Sequence, residues 1–197
     1  MNSDRSKQYS LRRREVVASL LAERGDSLVV AGLGAPAWDV TAAGDEPLNF
    51  PLWGAMGGAV SLGLGLALAQ PGRRVLVITG DGEMLMGLGS LASVAVQAPR
   101  NLTIVVLDNE RYGETGMQCT HTAGDVDLAA VAAATGIPVC DTIRDKVGLQ
   151  SVVTRIRSGD GPHFFNIKVR AEELPLVLPP KEGVLLKDRF RLALLSI

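Results

Sequence analysis

The 197 residues predict an α/β domain with a doubly wound, mostly parallel sheet flanked by helices on both faces. Three observations carry that expectation. Apolar runs of strand length such as RVLVIT and LTIVVL show no alternation, as parallel strands covered on both faces require. Segments of helix length separate those runs, the pattern of βαβ units with right-handed crossovers. Gly25, Pro71-Gly72, Pro99 and Gly136 fall at the joins, where chain-breaking residues belong. Hydrophobic residues make up 47% of the chain, enough for a sizeable core, and aromatics only 4%, so Ala, Val, Leu and Gly must do the packing.

In chain order, residues 10–24 read as an amphipathic helix stopped by Gly25. Residues 27–31 (SLVVA) form a short buried strand, followed by the turn Gly32-Leu33-Gly34. Residues 54–69 form an apolar helix ending at Pro71-Gly72. That helix lies in a stretch, 47–72, without a charged residue, and 18 or more apolar residues in a row are a membrane-span candidate. Gly54 and Gly58 even have GxxxG spacing. However, Asn49, Pro51, Ser61 and Gln70 interrupt the stretch, so a helix apolar all round and buried in an α/β core is expected instead. A strand over 74–79, a helix over 83–97 and a strand over 102–107 complete a βαβ unit. Residues 108–124 form a long polar loop with three glycines, a type that is usually functional. A helix over 125–135, a strand over 137–140, a helix over 145–158, a turn at 159–162 and a strand over 163–169 follow. The domain is expected to span 1–170. Residues 171–197 form an extension with Pro175, Pro179 and Pro180, then a helix over 184–195 that docks on the body or on a neighbour.

A formal net charge of -1 gives no pull toward nucleic acid or anionic lipid, so neither is expected as a partner. Two cysteines, Cys119 and Cys140, lack the spacing of a zinc or iron–sulfur site and read as thiols in a reducing compartment. The first fifteen residues lack the apolar core of a signal peptide, and a cytoplasmic location is the expectation.

Ligands of open parallel sheets bind beyond the carboxyl ends of the strands. Gly80-Asp81-Gly82 follows one strand there and opens a helix; Asp108-Asn109-Glu110-Arg111-Tyr112-Gly113 follows the next. Neighbouring strands lie roughly 5 Å apart, so the Asp81 carboxylate and the Asn109 amide oxygen would converge. Hard oxygen donors of this kind suit Mg²⁺, which keeps water and phosphate oxygens as its other ligands. The flanking glycines and the free N–H groups of the following helix suit a phosphate. A Mg²⁺–diphosphate site is therefore expected. Alone, Gly80-Asp81-Gly82 would also fit a tight turn with a helix cap.

GDG, 26 residues and then Asn109 resemble the signature of the thiamine diphosphate enzymes, in their pyrophosphate-binding (PP) domain. The resemblance extends over roughly residues 10–170, and LDNERYGETGMQCTH is most similar to the sulfopyruvate and phosphonopyruvate decarboxylases. It implies metal ligation by Asp81, Asn109 and the backbone carbonyl of Arg111. It implies cofactor contacts from Gly80, Gly82, Glu83, Tyr112 and Gly113, and from the Gly32–Gly34 turn, which could equally be a plain tight turn. Met56 aligns with the bulky residue that wedges the cofactor into its bent shape, with ordinary core packing as the alternative. The Gly54 carbonyl would accept a hydrogen bond from the cofactor's aminopyrimidine. Glu83 stands where the pattern often has Ser, and phosphate repulsion should turn its carboxylate away. The Arg111 side chain either reaches an anionic substrate or lies on the surface. His121 is the candidate proton carrier facing the substrate, or a surface residue; His163 reads as structural.

Thiamine enzymes use a glutamate on a separate pyrimidine-binding (PYR) domain to activate the cofactor. No glutamate here sits in such a context, and one sheet fills the chain. The resemblance thus implies a PYR-domain partner subunit, an oligomer with shared active sites, and decarboxylation of a small 2-oxo acid only in the assembled enzyme. A PP-domain subunit of a synthase, another lyase or a 2-oxoacid oxidoreductase stays open, as does a non-catalytic scaffold of the same fold. Gly32-Leu33-Gly34-Ala35-Pro36-Ala37 fits a dinucleotide-binding turn, but no strand ending in an acid follows at the required distance.

Overall fold

The computed structural model describes residues 4–158 and 160–195. Gly159, in the expected turn at 159–162, lies outside them. The chain runs α1 (Arg13–Leu21), β1 (Leu28–Ala31), α2 (Ala35–Ala43), β2 (Asn49–Pro51), α3 (Ala59–Ala69), β3 (Val75–Gly80), α4 (Asp81–Met86), α5 (Gly89–Gln97) and β4 (Leu102–Asp108). It continues with β5 (Arg111–Tyr112), β6 (Gln118–Cys119), α6 (Leu128–Ala134), β7 (Val139–Ile143), α7 (Lys146–Ser158), β8 (His163–Lys168) and α8 (Gly183–Leu195). The main sheet has the order β2-β1-β3-β4-β8-β7, and every pairing in it is parallel.

The core divides by strand parity. Val29, Leu76, Ile78, Val105 and Phe165 point to one face, where α1, α2 and α7 cover them with Val17, Trp38 and Val152. Leu28, Val75, Val77, Ile104 and Phe164 point to the other, where α3, α5 and α6 contribute Leu64, Leu91 and Leu128. The central strands are buried on both sides, which is why they read as unbroken apolar runs.

Several expectations are corrected. Residues 35–43 and 49–51, left unassigned, form α2 and the edge strand β2. Pro36 stands in the first turn of α2, where proline's fixed φ suits the helix start. The apolar helix starts at Ala59 rather than at residue 54, since Ala55 (φ 58°) and Gly57 (φ 91°) are left-handed. It is not buried all round: Leu62 and Leu68 are 36% and 48% exposed. The helix expected over 83–97 breaks into α4 and α5. At the break the two backbones nearly touch, and a Cβ on Gly87 would lie 2.3 Å from the Gly57 carbonyl oxygen. The 108–124 loop contains the antiparallel ribbon β5–β6. The strand expected over 137–140 runs to Ile143, a half-exposed edge. Among the described residues no helix is long and apolar enough to cross a membrane.

The C-terminal helix docks on the body. Phe190 meets Phe50 of β2 edge-on at 5.4 Å, Arg189 pairs with Asp45 at 2.8 Å, and Trp53 Nε1 donates to the Pro180 carbonyl at 2.8 Å.

Candidate functional site

The strand order reverses between β1 and β3, since β1 leads to β2 on one side and the chain returns on the other. A crevice opens beyond the strand tips at such a reversal. Here it is a cleft of about 340 Å³. Leu33, Ala35 and Pro36 line it from the β1 end, Gly80 to Glu83 from the β3 end, and Leu107, Asn109, Arg111, Tyr112 and Gly113 from the β4 end; Met56 and Met86 form its apolar rim. A depression of about 510 Å³ at the amino ends of β1, β3 and β4, lined by Asp26, Arg73, Arg74 and Arg100, lies away from this crevice.

Strands β3 and β4 are parallel neighbours, with Gly80 opposite Leu107. Asp81 and Asn109 therefore leave adjoining tips and both line the cleft. The Asp81 carboxylate is 2% exposed and accepts hydrogen bonds from Thr120 Oγ1 at 2.5 Å and Thr122 Oγ1 at 3.2 Å. No Lys, Arg or His of the described residues pairs with it. Burial, and then the charge of Asp108, push its pKa up. A buried acid supplied with hydroxyl donors but no internal cation is suited to an incoming one. Asn109 Oδ1 accepts from the Arg111 backbone N–H at 3.0 Å, which leaves a lone pair for a ligand. Among the described residues no three His, Cys, Asp or Glu side chains converge, so a cation here would have a sparse oxygen set.

Glu83 is the expected cofactor contact whose side chain the fold employs internally. Its carboxylate accepts from Thr79 Oγ1 at 2.7 Å, and burial raises its pKa against the opposing influence of Thr79 and the nearby amides of Ala59, Gly57 and Leu33. A Cβ on Gly32 would lie 1.8 Å from Glu83 Oε2. Gly32 is thus needed to admit this carboxylate beneath the turn, whatever the turn binds above. Gly32 and Gly54 do not line the cleft, and Gly34 approaches it through Glu114, whose Cγ would be 2.9 Å from a Gly34 Cβ. Met56, 44% exposed, stands free at the rim.

The Arg111 head turns from the cleft: Nη2 donates to Asp4 Oδ1 at 2.6 Å and Nη1 to the Glu110 carbonyl at 2.7 Å. His121 is exposed and outside the cleft lining. His163 is buried beside Thr103 Oγ1 at 3.3 Å, and burial lowers its pKa, in keeping with a structural role.

Four features of the site have no counterpart among the residues expected from sequence. Thr120 and Thr122 hold Asp81 from the far end of the ribbon. Asp108, beside it, is neutralised by Lys168 Nζ at 2.7 Å, which also reaches Glu110 at 2.9 Å. Glu114 lines the cleft and accepts from Trp38 Nε1 at 3.2 Å. Arg13 lines it from α1. Only Thr-x-Thr after the ribbon offered any local signal.

Residues 37–167 match the family model described as thiamine pyrophosphate enzyme, C-terminal TPP binding domain. The chain is 41% identical to sulfopyruvate decarboxylase subunit beta of Methanothermobacter thermautotrophicus, over 81% of this chain and 83% of that one. It is 40% identical to phosphonopyruvate decarboxylase of Streptomyces viridochromogenes, over 82% of this chain but only 41% of that longer protein. A solved structure described as a thiamin diphosphate-dependent enzyme from Mycobacterium smegmatis shares the fold, with a TM-score of 0.69 at 21% identity, over 82% of this chain and 32% of that one. The cleft at the strand reversal, the Asp81 and Asn109 tips and the family match agree: the chain belongs to the thiamine pyrophosphate enzymes, as their C-terminal TPP-binding domain.

Proposed function

We propose that this chain is the Mg²⁺- and thiamine diphosphate-binding subunit of a two-subunit decarboxylase. Its substrate is a three-carbon 2-oxo acid with a second anionic group, of the sulfopyruvate or phosphonopyruvate type. One observation carries the reading: Asp81 and Asn109 leave adjoining parallel strands into one cleft, and Asp81 has no cation of its own among the described residues. The side-chain oxygens of both, with the Arg111 carbonyl, form the hard oxygen set that Mg²⁺ prefers. Gly80, Gly82 and Gly113 leave the cleft wall low beside them, with Tyr112 as its flank. Met56 is available at the rim as the apolar wedge, and Gly54 faces open space.

When bound, thiamine diphosphate supplies the electron sink that lets CO₂ leave the substrate. This chain's part is to hold the diphosphate end and to shape the cofactor. Among the described residues both glutamates of the cleft are engaged, Glu83 with Thr79 and Glu114 with Trp38. The activating glutamate is assigned to a PYR-domain partner subunit. The relative named as a subunit beta, and the longer relatives of which this chain matches about two fifths, support the assignment. The partner would cover residues 47–58 and 113–117, placing shared active sites at the interface of an oligomer. A substrate-facing role for His121 requires that the partner close over the ribbon.

The test is reconstitution. The chain alone should decarboxylate neither sulfopyruvate nor phosphonopyruvate, and addition of its PYR-domain partner should restore turnover that depends on Mg²⁺. Robust turnover by the isolated chain would overturn the shared-site reading.

A further inference from the structure

Arg13 is the first residue of α1, and its sequence context, Arg12-Arg13-Arg14, reads as a solvated charge run. The fold instead buries it: its side chain is 7% exposed and lies on the wall of the cleft. Its hydrogen bond among the described residues runs from Nη1 to Asp39 Oδ2 at 3.0 Å. Nε is buried with no hydrogen-bond partner among the described residues. Buried guanidinium donors are rarely left unpaired.

Holding Asp39 does not account for Arg13. Asp39 is fully buried and also accepts from Arg14 Nε, on its other oxygen, at 3.0 Å. One carboxylate thus faces two guanidinium groups, and a positive charge is left over. Arg14 is anchored elsewhere as well, through Nη2 to the Pro175 carbonyl at 2.9 Å. Arg111, whose head turns from the cleft, is matched by Asp4. Arg14 is 28% exposed and reaches solvent, so the surplus charge that stays inside the fold is on Arg13.

We propose that Arg13 is an anion-binding residue of this cleft, taking a phosphoryl or sulfonyl oxygen on its free guanidinium edge while Asp39 fixes the group in place. A guanidinium presents a rigid fork of donors that suits such oxyanions, and here Asp39 has already ordered it. Two sources share that chemistry: the diphosphate of the cofactor, and the second anionic group of the substrate. The inference rests on the Mg²⁺–diphosphate reading of the cleft and deepens it.

The test uses the full chain with Mg²⁺ and two probes, inorganic pyrophosphate and sulfopyruvate, with binding followed by calorimetry. Arg13→Lys retains a cation for Asp39 but lacks the Nε donor, and its melting temperature should stay near that of the unaltered chain. Arg13→Met removes the charge as well. Pyrophosphate affinity should fall at least tenfold in Arg13→Lys and further in Arg13→Met. If pyrophosphate is unaffected and sulfopyruvate binding to the cofactor-loaded chain falls tenfold, the proposal stands with the substrate as the source. If Arg13→Lys binds both probes as tightly as the unaltered chain, the proposal is overturned. Pyrophosphate binding that ignores Mg²⁺ and Asp81 but still falls in Arg13→Lys refutes the metal reading alone. An unaltered chain that binds neither probe refutes both.

Discussion

Asp81 and Asp108 are two buried carboxylates at the tips of adjacent strands, and they share the Thr122 hydroxyl, which lies 3.2 Å from one and 2.8 Å from the other. Their surroundings differ. Asp108 is closed off by Lys168, by Asn166 Nδ2 at 2.9 Å and by the Glu110 N–H at 3.1 Å. Asp81 has hydroxyl donors and the open cleft. Burial makes any unpaired charge costly. Where the fold provides the counter-charge, the acid belongs to the structure; where it does not, the acid is set for a ligand. The comparison separates a structural centre from a binding centre that sequence position alone treats alike.

The sharpest way to break it is to remove the internal cation. Lys168→Met strands Asp108, while Glu110 keeps Arg5 at 3.0 Å, and should destabilise the chain by about 3–5 kcal/mol in denaturant titration, the usual cost of halving a buried ion pair. Asp81→Asn should leave stability unchanged or slightly raised, because it relieves the repulsion from Asp108. It should instead lower Mg²⁺-dependent thiamine diphosphate binding in calorimetry by at least about 100-fold, that is, by roughly 2.7 kcal/mol. If Asp81→Asn unfolds the chain as readily as Lys168→Met, Asp81 is structural and the comparison fails. Thr122→Val, which withdraws the shared hydroxyl from both acids, should cost about 1–3 kcal/mol of stability for the unmade buried hydrogen bonds.

What could be read beforehand follows from locality. The central strands were legible because burial on both faces leaves a continuous apolar run. Asp81 and Asn109 were legible because each directly follows such a run. The strand β2 was not, since three residues ending in Pro51 carry no period. Nor was the break at Gly87, because the group that presses on it is Gly57, thirty residues earlier. Arg13 carried no signal of a buried role because its partner Asp39 lies 26 residues on, in a helix the sequence does not announce. Lys168 carried no signal either, because its acids, Asp108 and Glu110, lie at and beyond the end of another strand. Residues whose partners are distant in sequence acquire a role only when the fold is known.

The smallest effect concerns the side of the cleft where an acid is held but not neutralised. Glu114 lines the cleft beside the space assigned to the diphosphate, and among the described residues its carboxylate is tethered by the Trp38 indole N–H. A carboxylate there opposes an incoming anion. Two unit charges roughly 10 Å apart, at an effective dielectric constant of about 40, repel by about 0.8 kcal/mol. Glu114→Gln keeps an oxygen for Trp38 while removing the charge, so pyrophosphate should bind about fourfold more tightly, less so at high salt. Trp38 and Trp53, 5.2 Å apart, are the two tryptophans of the chain, so their fluorescence reports any movement of this tether. A salt-independent change, or weaker binding, would mean that Glu114 positions the ribbon rather than opposing the ligand.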